Sequence, residues 1–401
     1  MTTVRTAIVI GGGIAGPVTA LALNRAGITA TVHEAYPSIA DGIGGTLALA
    51  PNGVAALGAV NADRAVTAIA TPFHRSVMAF GRKTVELPGL TDVPPLRMVH
   101  RAELHRTLHD HATAEGIVIE HGKRLVDVRE SGDGVTALFA DGSSATADVL
   151  VGADGIRSTV RTLIDPAAPG PRCTGLLGFE AVARHEVSAE PDTMMFAFGR
   201  QAYYLYWPEP GGGTRWGANL PQERPMTLTE ARALSPQEWL RRLRAAYGND
   251  DPGGQLVGAT DPECLQTVGS LLIMPPVPRW HRGRMVLVGD AAHAPSNSSG
   301  QGASLAIESA VQLARCLRDL PDVPSAFAAY ERLRRPRVER VAARAARINH
   351  TKAPGPVARA LMPLLMPLLM RTAMNPERTL GPEQRHVIDW DAPVTTEPAL
   401  R

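Results

Sequence analysis

The sequence predicts an α/β fold, a parallel sheet with helices into which an antiparallel sheet is inserted, followed by a helical C-terminal segment. Three observations predict it. Thr6 to Ile10, Ala15 to Arg25 and Thr29 to His33 read as strand, helix and strand, the pattern of a βαβ unit. From Arg172 to about Pro276 the pattern changes to short alternating runs separated by turn residues, Met194 to Phe198, Tyr203 to Trp207 and Arg215 to Asn219, as in an antiparallel sheet. Met285 to Val288, apolar and partly β-branched, then reads as a returning parallel strand that breaks into "GDAAHAPSNSSGQGAS".

The remaining elements follow from spacing. Leu104, Leu108 and Ala112 mark a helix from Arg101 to Glu115, and Ile117 to Glu120 is a strand. Val135 to Ala140 and Ala145 to Val151, joined by Asp141-Gly142, predict a hairpin that runs into "GADGIRSTVR". Leu305, Ala306, Ala310, Val311, Leu313, Ala314 and Leu317 recur at helical spacing, so a helix begins near Gly302. After Ala326 the chain is helical and Arg-rich up to Arg347, with an interruption expected at Pro336 and a solvated face from Arg332 to Arg347. The segment "LMPLLMPLLM" is expected to pack the tail, with a substrate lid or dimer contact as the alternative.

Composition excludes several classes. The 401 residues are 44% hydrophobic and 20% charged, with a net charge of +2, and lysine occurs only at 83, 123 and 352, so no nucleic-acid footprint is expected. Cys173, Cys264 and Cys316 are odd in number and far apart, which fits neither a disulfide framework nor a zinc site. His105 and His109 share a helix face but lack a third ligand, so no metal is expected. No apolar run approaches the roughly 18 residues of a membrane span, and the start of the chain leaves no room for a signal peptide. A soluble cytoplasmic protein, monomer or homodimer, is the expectation.

Three stretches carry chemistry. In "GGGIAG", Gly11, Gly13 and Gly16 form GxGxxG between strand and helix, with Ile14 and Ala15 at the helix start. The glycines permit a tight turn, close approach of a pyrophosphate and close helix packing. Glu34, about twenty residues on, supplies the carboxylate for ribose hydroxyls and disfavours a 2′-phosphate, so FAD or NAD is expected. In "GADGIRSTVR", Asp154 and Ser158 suit a turn and a helix start, while Arg157 and Arg161 suit a surface. Asp290 follows its strand at the carboxyl edge where open α/β sheets bind ligands, and Gly300 and Gly302 leave a helix N-terminus bare.

These motifs, in this order from about Val4 to Arg347, resemble the single-component class A flavoprotein aromatic hydroxylases, FAD-dependent monooxygenases that include salicylate and para-hydroxybenzoate hydroxylases and antibiotic-tailoring members. The resemblance implies a Rossmann-like FAD-binding domain in three parts, 1–75, 101–171 and 277–330. It also implies a substrate domain from 76–100 and 172–276, and a helical tail at 331–401. It places Asp290 at the ribityl and pyrophosphate chain of FAD, Arg101 of "VHRAELHRTL" at the ribityl and phosphate region, and Gly300, Gly302, Ala303 and Ser304 against the isoalloxazine. Asp154 takes a place near both FAD and NAD(P)H, with Arg161 close by. A helix N-terminus stabilises an anionic reduced flavin by about 0.3 to 2 kcal/mol and favours its hydroperoxide. The implied reaction uses NAD(P)H and O2, through a flavin C4a-hydroperoxide, to hydroxylate or epoxidise an electron-rich organic substrate. A flavin-dependent dehydrogenase on the same fold is the alternative.

Two readings concern substrate. Tyr204, Trp207 and Trp216 lie on strands of the sheet that roofs the pocket in this family, and the apolar, aromatic insert favours a hydrophobic, polycyclic substrate. Asn297 stands where the family usually has a proline whose carbonyl orients a substrate hydroxyl, Ser304 where it often has Asn, and Ser309 where Asp is common. No side chain is singled out as a base.

Overall fold

The structure, a computed structural model, describes residues 4–39, 44–351, 361–362, 364–366, 368–369, 372 and 375–395. Its first sheet, parallel except for the edge strand β18, has the order β18 (His281–Arg282), β19 (Met285–Leu287), β12 (Val149–Gly152), β1 (Thr6–Ile10), β2 (Thr29–His33), β8 (Val118–Glu120). Val9, Val151 and Val286 are fully buried, in one core with residues of the helices Ala15–Arg25 and Gly302–Asp319 and with Val135, Ala137 and Phe139 of an antiparallel strand, which is why these strands read as unbroken apolar runs. Ile10 pairs with Gly152 and Gly152 with Leu287, so three strands end side by side. The chain leaves β1 for β2 on one side and returns as β12 on the other. The crevice beyond those strand ends is therefore the topological switch point where such sheets hold ligands.

The helices are α1 (Ala15–Arg25), α2 (Pro51–Gly58), α3 (Asp63–Ile69), α4 (Arg101–Ala114), α5 (Thr159–Ile164), α6 (Leu228–Ala233), α7 (Pro236–Tyr247), α8 (Gly253–Gly258), α9 (Gly302–Asp319) and α10 (Val323–Thr351). The apolar face of α9 packs on α1 and the sheet in one core with Val18, Leu21, Leu305, Val311 and Phe327. The inserted sheet has seven strands, β17 (Gln266–Ile273), β13 (Arg172–Ala183), β16 (Thr214–Pro221), β15 (Tyr203–Pro208), β14 (Thr193–Phe198), β5 (Arg75–Phe80) and β6 (Lys83–Leu87). A three-stranded sheet, β3 (Thr46–Leu49), β7 (Leu96–His100) and β4 (Thr71–Phe73), joins it to the first domain. Of the expected insert 76–100, the stretch 96–100 thus lies in this linking sheet.

Three expectations are corrected. The expected strand Ala145 to Val151 is two strands: β11 (Ser144–Ala147) pairs with β10 (Val135–Phe139) beside β9 (Leu125–Glu130), and β12 joins the parallel sheet. Asp148 makes the break, accepting from the N–H groups of Arg5 and Thr6 at 2.7 and 2.8 Å, donors that belong to the start of β1. Helix α10 runs through Pro336 without interruption. The Arg series is not simply a solvated face, since Arg334 is buried on Glu308, and Arg335, Arg337 and Arg344 hold Glu331, Glu308 and Glu383. Arg335 and Glu331 pair one turn apart on α10, but for Arg334, Arg337 and Arg344 it is carboxylates on α9 and the tail, unseen in the helix's own pattern, that decide which way the side chains point.

Two histidines sit neutral inside this core. Burial lowers the pKa of His293 to about 3, and burial lowers that of His33 against a weaker pull from Glu120. In the unfolded chain both titrate near 6.5, so the unfolded state takes up their protons first as pH falls. Their contribution is whole above pH 6.5 and is lost progressively below it, at a limiting slope of about 1.4 kcal/mol per pH unit for each group. Denaturant melts between pH 7 and pH 5 are expected to show stability falling, and His293→Gln or His33→Gln to flatten the slope.

Candidate functional site

The three chemistry-bearing stretches meet in the crevice. Gly11 turns out of β1 with φ +103°, and a Cβ there would lie 2.5 Å from the carbonyl oxygen of Ala153 at the end of β12. A Cβ on Gly16 would lie 1.9 Å from the carbonyl oxygen of Gly11, so α1, starting at Ala15 just after Ile14, packs directly on the turn. Above Gly13 nothing lies within 4 Å, which leaves the backbone open to a ligand. Glu34 closes the turn from below, accepting from Gly12 N–H at 2.6 Å and Tyr36 N–H at 2.8 Å. His105 holds the same turn through the Gly12 carbonyl at 2.6 Å, a structural role.

Beyond β19, Asp290 sits in a short 3₁₀ turn after Gly289, whose φ of +58° only glycine adopts easily. Burial pushes the Asp290 carboxyl up, opposed by the Arg101 guanidinium, and no hydrogen bond to it comes from the described residues. Arg101 opens α4 and lies along Gly44. Asp290 is half-buried at the rim of the crevice, so its carboxylate stays open to a ligand hydroxyl that can donate to it. Asp290→Ala is expected to lose FAD, with purified protein colourless and titrating at least about tenfold more weakly, the loss of one charged hydrogen-bonding partner.

The loop after Asp290 ends in Gly300 at φ +60° and then α9. No side chain caps α9, and nothing lies within 4 Å above Gly302, so its first N–H groups and dipole end face open space beside Ala303. Ser304 departs from the expectation: its hydroxyl is buried and accepts from Ala50 N–H at 3.0 Å, tying α9 to the start of α2. As the third residue of the helix, it has its side chain already rotated away from the opening. Asn297 is exposed in the loop's 3₁₀ turn, its carbonyl taken by Gly300 N–H at 3.1 Å.

Asp154 caps α5, accepting from Thr159 and Val160 N–H at 2.7 and 3.1 Å and from the Ser158 hydroxyl. Its carboxylate therefore serves its own loop, and what meets the glycine turn is the backbone of Ala153 and Asp154. Arg161, expected at a surface when read alone, is buried and donates to the carbonyls of Ala291 and Ile156 at 3.0 and 2.9 Å. It ties the second motif to the third. His293 packs beside Trp280 and bonds Ser309 at 2.9 Å.

The inserted sheet presents one face to this crevice. Side chains alternate along a strand, so Tyr204, Tyr206 and Trp216 point to the far face, in a core with Trp239 and Tyr247 of α7. Trp216 spends its N–H on Thr260 at 2.9 Å. Tyr204 and Trp216 are therefore corrected to packing residues. Trp207, of opposite parity, lies on the near face with Phe73, Met98 and Met194, and with Ala48, Phe196 and Leu205 at its edge. Ala48 is 3.7 Å from where a Gly300 side chain would begin, so the near face abuts the loop. Further out, Phe80 and Phe198 stack and Met362 and Met366 of the tail cover them, so "LMPLLMPLLM" packs through these methionines while Leu361, Leu364, Leu365, Leu368 and Leu369 are exposed; 363, 367 and 370 lie outside the described residues.

Sequence reading missed three parts of the site. Glu180, on the near face, accepts from Thr46 N–H and hydroxyl, both at 2.6 Å, and from Arg215 at 3.0 Å. Asn52 bridges Gln301 and Glu308. Glu308 itself left a usable signal, a carboxylate three residues after Leu305 on the apolar face of its helix. Among the described residues no histidine, cysteine and carboxylate cluster suits a metal, and no helix is long and apolar enough to cross a membrane.

A crevice with a glycine turn, a bare helix end and a half-buried carboxylate at its rim is that of a dinucleotide-binding protein, and the backbone left open at Gly13 and Gly302 suits the approach of FAD. The FAD binding domain family matches residues 4–250 and 273–345. The chain is 30% identical over 320 residues to the FAD-dependent urate hydroxylase of Klebsiella pneumoniae, covering 78% of this chain and 81% of that one. It is 29% identical over 323 residues to the aurachin C monooxygenase/isomerase of Stigmatella aurantiaca, covering 79% and 82%. The crystal structure of Klebsiella pneumoniae HpxO complexed with FAD and uric acid superposes with a TM-score of 0.75 at 28% identity, covering 85% of this chain and 87% of that one. This chain belongs to the family of FAD-dependent aromatic hydroxylases and monooxygenases, and its cofactor is FAD.

Proposed function

We propose that this protein uses NAD(P)H and molecular oxygen to hydroxylate or epoxidise an electron-rich, hydrophobic aromatic or polycyclic substrate. The observation that carries this reading is the junction between the apolar near face and the flavin loop, through Trp207, Ala48 and Gly300. Bound FAD supplies hydride acceptance and oxygen activation. The chain supplies the rest: Glu34, Arg101 and Asp290 seat the dinucleotide, the start of α9 offers N–H groups to charge on the ring, and Phe73, Met98, Met194 and Trp207 keep water from the substrate side.

The wall also selects by charge. Arg215 is a guanidinium on the near face, and Glu209 holds it with two bonds of 2.8 Å while Glu180 holds it at 3.0 Å. A carboxylate substrate would have to displace those partners, so a neutral aromatic is favoured over a benzoate. The test follows NADPH and NADH oxidation and oxygen uptake with neutral and carboxylated aromatics, and weighs the product. Substrate-dependent oxygen uptake with a gain of one oxygen atom is the expected result. Turnover without oxygen uptake would replace the monooxygenase with a flavin-dependent dehydrogenase.

A further inference from the structure

Behind the flavin loop lies an ionic knot that no step so far has used. Glu308, fully buried in the second turn of α9, is saturated by four donors. One of its oxygens accepts from Asn52 Nδ2 at 2.6 Å and Arg337 Nη2 at 2.7 Å. The other accepts from Arg337 Nε at 2.8 Å and Arg334 Nη1 at 2.6 Å. Arg334, 1% exposed, also reaches Ser309 and the Leu305 carbonyl of α9, both at 3.3 Å.

Two links carry the knot into the loop. Asn52 donates to Gln301 Oε1 at 2.9 Å, and Gln301 is the residue from which α9 starts. Arg344, paired with Glu383 at 2.7 Å, donates to the Ser299 carbonyl at 3.4 Å. The charges do not cancel. Two guanidiniums meet one carboxylate in the knot, while Arg344 and Glu383 balance each other. Nearby His293 and His386 are neutral at pH 7, burial lowering their pKa values to about 3 and about 4. Burial alone would raise the Glu308 carboxyl, and Arg334 and Arg337 overcome it, so the carboxylate stays ionised.

We propose that Glu308, Arg334 and Arg337 are positioning residues for the flavin: through Asn52 and Gln301 they fix the start of α9, and their net positive charge favours the anionic, reduced cofactor. The site needs this help because a helix end alone acts only over its first turn and weakens with solvent exposure. Glu308 and Arg334 are buried and Arg337 only borders solvent, so this charge is screened by salt less than an exposed one.

The test is the reduction potential of FAD bound to the holoenzyme, measured by dye equilibration, in two variants that change the knot's charge in opposite directions. Arg337→Gln makes it neutral and is expected to weaken reduced relative to oxidised FAD about tenfold, about 30 mV lower for a two-electron couple. Arg337→Lys is expected to recover most of that difference. Glu308→Gln adds one net positive charge and is expected to raise the potential. A role confined to packing predicts no such reversal of sign. Wild-type potentials in the variants that hold FAD, or shifts in the same direction, would overturn the proposal.

Discussion

Gly13→Ala and Gly16→Ala are expected to lose FAD for different reasons, which separates binding from folding. At Gly16 a methyl would sit 1.9 Å from the Gly11 carbonyl oxygen, inside a core that cannot open around it. Overpacking of that kind costs about 1–3 kcal/mol, so a thermal melt of the FAD-free protein is expected to shift down. If the strain falls on the turn, FAD affinity drops about ten- to a hundredfold as well. At Gly13 the same methyl meets nothing within 4 Å, so the FAD-free protein is expected to melt as wild type. Its FAD titration is nonetheless expected to weaken, because the methyl fills the space through which a pyrophosphate approaches the backbone. Equal melts and equal FAD binding for Gly13→Ala would move the pyrophosphate away from this turn.

Glu308→Ala is expected to be among the most damaging single substitutions in the protein. It leaves Arg334, 1% exposed, and Arg337 beside an empty site, with Asn52 deprived of one acceptor. Removing one partner of a buried ion pair costs about 3–5 kcal/mol, because the remaining charge has neither water nor counterion. Denaturant unfolding checks the size of the loss. Replacing Glu308 and Arg334 together by Met is expected to lose less than Glu308→Ala alone, since no guanidinium is then left on Glu308's side without its carboxylate except Arg337, which borders solvent. A loss from Glu308→Ala within the range of a surface substitution would mean that the knot relaxes into water.

Substrate handling divides the aromatic residues of the inserted sheet by parity. Trp207 and Trp216 are both tryptophans on neighbouring strands, and both are buried. Trp207 shares a cluster with Met98 and Ala48 beside the flavin loop, whereas Trp216 packs against α7 and α8. Register decides this, because a shift of one residue moves a whole strand's side chains to the other face. Local composition does not reveal which face a sheet turns to its partner domain.

Much of the cofactor half was legible in order along the chain. The βαβ unit at Thr6 to His33 has the bounds expected from its apolar runs, and α9 starts at Gly302 as its spacing requires. Those features depend on interactions between residues close in sequence: a strand's alternation or burial, a helix's period, and the backbone freedom of glycine at Gly11 and Gly300. The GxGxxG turn with Glu34 carries its own partners, as the bond from Gly12 N–H to Glu34 at 2.6 Å shows.

What the sequence by itself determined is therefore the α/β class, the three strand ends and the dinucleotide that they suit. Only the tertiary structure decided that Asp154 serves α5, that Ser304 binds α2, that Arg161 joins two motifs, and that Arg334 and Arg337 turn inward to Glu308. The physical reason is the same in each case. A polar side chain leaves water only for a particular partner, and here the partners of Ser304, Arg161, Arg334 and Arg337 lie 254, 130, 26 and 29 residues away, beyond any local pattern.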